Sequence, residues 1–198
     1  MLIYVFATVP GYINELAELV RAFYPGVAVQ IANEDLNEFA GNDLIFRCYH
    51  NREEDNIVEV TVEVFTGSEQ KGKFHKLCQV DQGLSKFEQR RIIKNCIKLL
   101  LYEVLEDLTG RSLEWGSLTG IRPTKIVHGL MDQGFDEGTI LSKLYDDYRV
   151  SSEKARLLID IAKVQRPFFE DNHLNKISVY INIPICTTKC LFCSFPSA

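Results

Sequence analysis

Residues 57–65, IVEVTVEVF, alternate Val58, Val60, Val62 and Val64 with Glu59, Thr61 and Glu63. A strict period of two puts the valines on one face of a strand and the polar residues on the other. This predicts a strand with one wet face. Residues 85–109 carry a different period. Ile92, Ile93, Cys96, Ile97, Leu100, Leu101, Val104, Leu105 and Leu108 form one broad apolar helical face. Ser85 and Glu88 have the S-x-x-E spacing of a capping box, and Gly110 stands where a helix of this length would stop.

Shorter segments complete this part of the chain. Residues 2–9 read as a buried strand broken by Pro10-Gly11, 13–23 as an amphipathic helix, and 27–32 and 43–49 as further strands. TGSEQKGK (66–73) reads as a turn, with 74–80 returning as a hairpin partner. Residues 1–112 therefore form an N-terminal α+β accessory domain, a mixed sheet with helices. Residues 113–176 form a helical connector, with helices expected near 123–133, 136–148 and 152–170. Short loops between them imply packed antiparallel neighbours. ISVYINI (177–183) then reads as an apolar strand ended by Pro184.

Composition narrows the classes of function. A length of 198 residues predicts one or two domains and needs neither disulfide nor metal to fold. Apolar residues at 46% exclude disorder as the main state. A formal net charge of −5 argues against a general nucleic-acid binder. The apolar runs are too short to span a bilayer. The start, MLIYVFATVP, lacks a cationic segment and a small-residue cleavage site, so the expected compartment is the cytoplasm.

Six cysteines divide into two sets. Cys48, Cys78 and Cys96 fall on apolar faces and read as buried, inert thiols. Cys186, Cys190 and Cys193 have the spacing C-x3-C-x2-C on one short loop. Three thiolates so placed suit three irons of a 4Fe–4S cluster, leaving one iron without a protein ligand. A zinc site, with His173 or Cys78 recruited as fourth ligand, and unliganded thiols are the alternatives from spacing alone.

With an aromatic residue before its last cysteine and an apolar strand before its first, this segment resembles the radical S-adenosylmethionine (SAM) signature. YINIPICTTKCLFCSFPS resembles the oxygen-independent coproporphyrinogen III oxidase family more closely, and LTGIRPTKIVHGLMDQG (118–134) resembles a segment of its HemZ-type, dehydrogenase-like branch. The resemblance implies that Cys186, Cys190 and Cys193 bind the cluster. It implies SAM on the open iron, Phe192 near the adenine and Tyr180 beside SAM. It also implies an external electron donor, a tetrapyrrole-like small-molecule substrate and a (β/α) barrel. Strand 177–183 would be the first of that barrel, truncated here, so the chain is expected to be the inactive N-terminal portion of a radical SAM oxidoreductase. Phe195 stands where the oxidative decarboxylase branch has a further cysteine, and Asn182 where a histidine is common. These departures leave a heme-binding or heme-chaperone relative as the second reading and a zinc-stabilised interaction module as the third.

One other segment carries chemistry. In Thr119-Gly120-Ile121-Arg122-Pro123-Thr124-Lys125, Pro123 suits the first position of a helix. Arg122 and Lys125 place cations near that helix N-terminus, a candidate anion-binding site. The alternative is a well-capped helix with a solvated basic edge. Trp115 reads as a plug at the join between layers.

Overall fold

The computed structural model describes residues 1–8, 11–32, 41–52, 56–170, 177, 179–183, 185, 186 and 188. It divides into two compact units, Met1–Val164 and Gln165–Ala198.

The first unit opens with β1 (Ile3–Ala7), α1 (Ile13–Phe23), β2 (Val29–Ile31), β3 (Leu44–Arg52), β4 (Ile57–Thr66) and β5 (Glu69–Gln79). These strands form one mixed sheet in the order β2-β1-β3-β4-β5. β1 runs parallel to both β2 and β3, whereas β3, β4 and β5 form an antiparallel meander. The period-two reading of β4 holds on its apolar side: Val58, Val60, Val62 and Val64 are all buried. They face α1 and α2 (Lys86–Thr109), which cover the same side of the sheet and share its core. Leu16, Leu19, Val20 and Phe23 enter this core from α1, and Ile97, Leu101, Tyr102 and Leu105 from α2.

The polar side of β4 differs from the expectation of a wet face. Thr61 and Glu63 are also buried. Glu63 is matched on its own sheet: Tyr49 donates to it at 3.0 Å, with Lys73 and Arg47 at 3.3 and 3.8 Å. These partners satisfy the carboxylate oxygens where the sheet covers them.

α2 is capped as its sequence requires. The Ser85 hydroxyl accepts from the Glu88 backbone amide, the Glu88 side chain accepts from that of Ser85, and Gly110 closes the helix at φ 64°. The hairpin is tighter than predicted. β5 begins at Glu69, so most of the expected turn at 66–73 is strand. Its Lys, Glu and Gln residues read as loop because β5 is an edge strand, where charge faces water and blocks pairing with other chains.

α3 (Thr124–Asp132), α4 (Glu137–Tyr148) and α5 (Ser152–Gln165) follow. They surround a second core of Val127, Ile140, Leu144, Leu158, Ile159 and Ala162. Pro123 caps α3 rather than occupying its first turn. Arg149 ends α4 in the left-handed conformation and reaches Glu103 of α2 at 2.6 Å. Trp115 does not plug the join between layers; it is 37% exposed, with the Lys154 ammonium 5.8 Å from its ring centroid. Among the described residues no helix is long and apolar enough to cross a membrane.

The second unit contains α6 (Pro167–Glu170). The single helix predicted over 152–170 thus breaks before Pro167, whose ring disfavours helical backbone in the residue preceding it. Of the strand predicted at 177–183, the described residues, 177 and 179–183, have no regular secondary structure. Strand geometry needs a neighbour to take its backbone N–H and C=O groups, and none pairs with this segment among the described residues. The described residues accordingly show an α+β fold, without the start of a barrel.

Candidate functional site

Two places carry the residues singled out from sequence. In the second unit, Cys186 is a free, exposed thiol. Tyr180 is 80% exposed. Cys190, Cys193 and Phe192 lie outside the described residues. A free thiol is the donor a thiolate-bound iron or zinc requires, and no disulfide consumes Cys186. Among the described residues no group of three or more His, Cys, Asp or Glu is placed to hold a metal ion.

In the first unit, a cavity of about 500 Å³ opens between α2, α3 and α4. One wall is the edge of α2 turned away from the sheet, which presents Arg91, Lys94 and Lys98. Residues three, four and seven apart on a helix share a face, so these cations lie in a row. The opposite wall is α3, which contributes Lys125, Ile126, Gly129 and Leu130. Asp147 and Tyr148 close one end from α4, and Leu118 and Ile121 come from the loop before α3. Of the two cations predicted to flank the start of α3, Lys125 lines the cavity and Arg122 does not; Arg122 is exposed.

Sequence reasoning missed the α2 row. The helix announces itself in the sequence by its apolar face, and the cations lie at the margin of that face. Their spacing was the available signal.

Glu15 of α1 organises part of the row. Lys94 Nζ donates to its Oε1 at 2.8 Å, and Lys98 Nζ to its Oε2 at 3.2 Å. Lys98 also donates to Thr119 Oγ1 at 3.0 Å, tying α2 to the loop before α3. The Lys98 side chain is only 6% exposed. Burial pushes its ammonium below the ordinary lysine value, and the Glu15 carboxylate works against that. Burial would raise Glu15, but hydrogen bonds from Lys94 and the nearby Lys98 outweigh it and hold the carboxyl below its usual range. On the opposite side burial raises Asp147 and Tyr148.

This arrangement predicts an asymmetry between two variants. Glu15→Gln strands a buried ammonium and should cost about 1–2 kcal/mol, a value reduced from the fully buried case because Glu15 is partly exposed. Lys98→Met removes the buried charge itself and should cost less than about 1 kcal/mol. Urea unfolding at neutral pH checks the order. Because Glu15 is lowered on folding, its contribution is present above its unfolded value and fades as pH falls through its folded value. The gap between wild type and Glu15→Gln should therefore shrink in acid. A gap that widens there contradicts the assignment.

Known proteins supply the remaining comparison. No family model matches the chain. Over 107 residues it is 37% identical to the oxygen-independent coproporphyrinogen-III oxidase-like protein HemZ of Bacillus subtilis (strain 168), a match covering 53% of this chain and 21% of that protein. The chain thus spans about a fifth of that relative's length. Through half of its own residues it is similar to a coproporphyrinogen-III oxidase-like protein of the HemZ type, the branch its 118–134 segment resembles.

Proposed function

We propose that the chain is the N-terminal part of a radical SAM oxidoreductase resembling oxygen-independent coproporphyrinogen III dehydrogenase. Residues 1–112 are its accessory domain, 113–176 its helical connector and 177–198 the first strand and cluster loop of its catalytic domain. The observation that carries this reading is the C-x3-C-x2-C segment with Cys186 a free, exposed thiol. The relative's name supports the porphyrin side of it. Ile177, Val179, Ile181, Ile183 and Ile185 are each at least 74% exposed, and apolar side chains at this spacing are those a barrel strand would bury against its neighbours.

In this reading Cys186, Cys190 and Cys193 hold a 4Fe–4S cluster, and Tyr180 and Phe192 flank SAM. When bound, the cluster and SAM supply a hydrogen-abstracting radical after reductive cleavage. The chain's own task is to hold three thiolates on one loop and leave an iron open, as catalytic metal sites keep a position free. The substrate is a tetrapyrrole-like small molecule, the electron comes from an external donor, and the work is done in the cytoplasm.

Iron and labile sulfide should be measured after anaerobic reconstitution of protein expressed from its complete reading frame. About four irons per chain are expected. Loading should be lost in Cys186→Ala, and the paramagnetic resonance spectrum of the reduced protein should change on adding SAM. Zinc in place of iron, or full iron loading in Cys186→Ala, overturns the reading.

A further inference from the structure

We infer that the cavity between α2, α3 and α4 binds a small amphipathic dianion, an apolar body carrying two carboxylates or one phosphate. All of its lining residues lie within the first unit.

Charge is the first argument. Arg91, Lys94, Lys98 and Lys125 face it against the carboxylates of Glu15 and Asp147. This is a local excess of two positive charges in a chain whose formal net charge is −5. Glu15 already engages Lys94 and Lys98. Arg91 and Lys125 form no ion pair among the described residues, and both are exposed. They are the lining cations that no carboxylate holds in an ion pair among the described residues, although Arg91 lies near enough to Glu88 to lower its carboxyl.

The floor is the second argument. Ile92, Leu99, Leu118, Ile126 and Leu130 line the same space. A cation row alone suits an inorganic ion, whereas cations rimming an apolar floor suit a molecule with an apolar body. The volume is within the range of small-molecule sites.

Gly129 is the third. It lies inside α3, where glycine weakens a helix relative to alanine. It needs neither a positive φ nor close approach, since an added Cβ would meet nothing within 4 Å. The space beside it is cavity. A Cβ there meets no other atom, and a longer side chain would extend into the cavity and remove room from a ligand.

Two fluorescent probes test the proposal on the 198-residue chain: 1-naphthyl phosphate and naphthalene-2,6-dicarboxylate. At least one should bind saturably below about 1 mM. Saturation by only one selects phosphate or paired carboxylates. The neutral 1-naphthol, and inorganic phosphate without an apolar body, should each bind at least tenfold more weakly than the better probe. Arg91→Gln and Lys125→Gln should each weaken that probe about fivefold or more, with the effect falling as salt rises. Gly129→Leu should abolish binding while leaving the thermal midpoint and circular dichroism unchanged or improved. The inference is overturned if neither probe saturates, if naphthol binds as tightly, or if affinity is unchanged in both Lys125→Gln and Gly129→Leu.

Discussion

Reduction should lower the stability of this chain by about 3 kcal/mol, the effect of opening a loop of this length. Cys78 of β5 and Cys96 of α2 form a disulfide across 18 residues. The loop includes the whole connection from the edge strand to the covering helix, so reduction frees the unfolded chain to explore many more conformations. Other contacts join the same elements: Cys78 is buried beneath α2, and the Lys76–Glu103 ion pair at 3.1 Å also links β5 to α2. Chemical denaturation with and without a thiol reductant measures the difference. In Cys96→Ala the reductant should have no further effect, which separates the bond from a general action of the reagent. Thiol labelling supplies an independent readout. Cys186 should label in the folded protein, and Cys48 should not, since burial pushes its thiol up to about 12. Cys78 and Cys96 should label only after reduction and unfolding. Equal midpoints with and without reductant would show that the bond adds nothing.

That disulfide marks the limit of what the sequence discloses. Cys48, Cys78 and Cys96 all read as buried thiols, and for Cys48 that holds. Pairing the other two needs the registration of β5 beneath α2, a tertiary fact that spacing does not contain. Local features were legible where one stretch holds the whole signal. The box at Ser85 and Glu88 and the terminal Gly110 fixed both ends of α2. Alternation fixed the buried face of β4. Strand order was not legible, because β1 pairs parallel with both β2 and β3 through contacts between distant segments. Burial of Glu63 was hidden for the same reason: its partners Tyr49 and Lys73 come from the two flanking strands. At the cavity, Lys125 was visible as a cation near a helix start. Arg91, Lys94 and Lys98 gained their meaning only when α3 and α4 closed over α2. The chemistry of Cys186, Cys190 and Cys193 remains carried by their spacing and resemblance.

Gly116→Ala should be the most damaging single methyl addition in the connector, costing about 3 kcal/mol or more. Two independent effects combine there. Gly116 has φ 56°, in the left-handed region that alanine enters only with strain. Its missing Cβ would also fall onto the backbone carbonyl of Tyr148 and within 2.6 Å of the Arg149 carbonyl oxygen. Those atoms belong to the end of α4 and cannot rotate aside like a side-chain tip. The close approach exists because Ser117 N–H donates to the Tyr148 carbonyl at 2.8 Å and Ser151 N–H to that of Glu114 at 2.9 Å, lacing the loop to the end of α4. Relief of the clash must lengthen these bonds and shift Tyr148, which lines the cavity. Gly120→Ala is the matched control. It has a similar φ of 66° but nothing within 4 Å of an added Cβ, so it carries the backbone strain alone, about 1 kcal/mol. Thermal and urea unfolding of the two variants should therefore separate steric close approach from conformational strain. Equal losses would mean that the loop relaxes freely away from α4, and the lacing at Ser117 and Ser151 would then have no role in shaping the cavity.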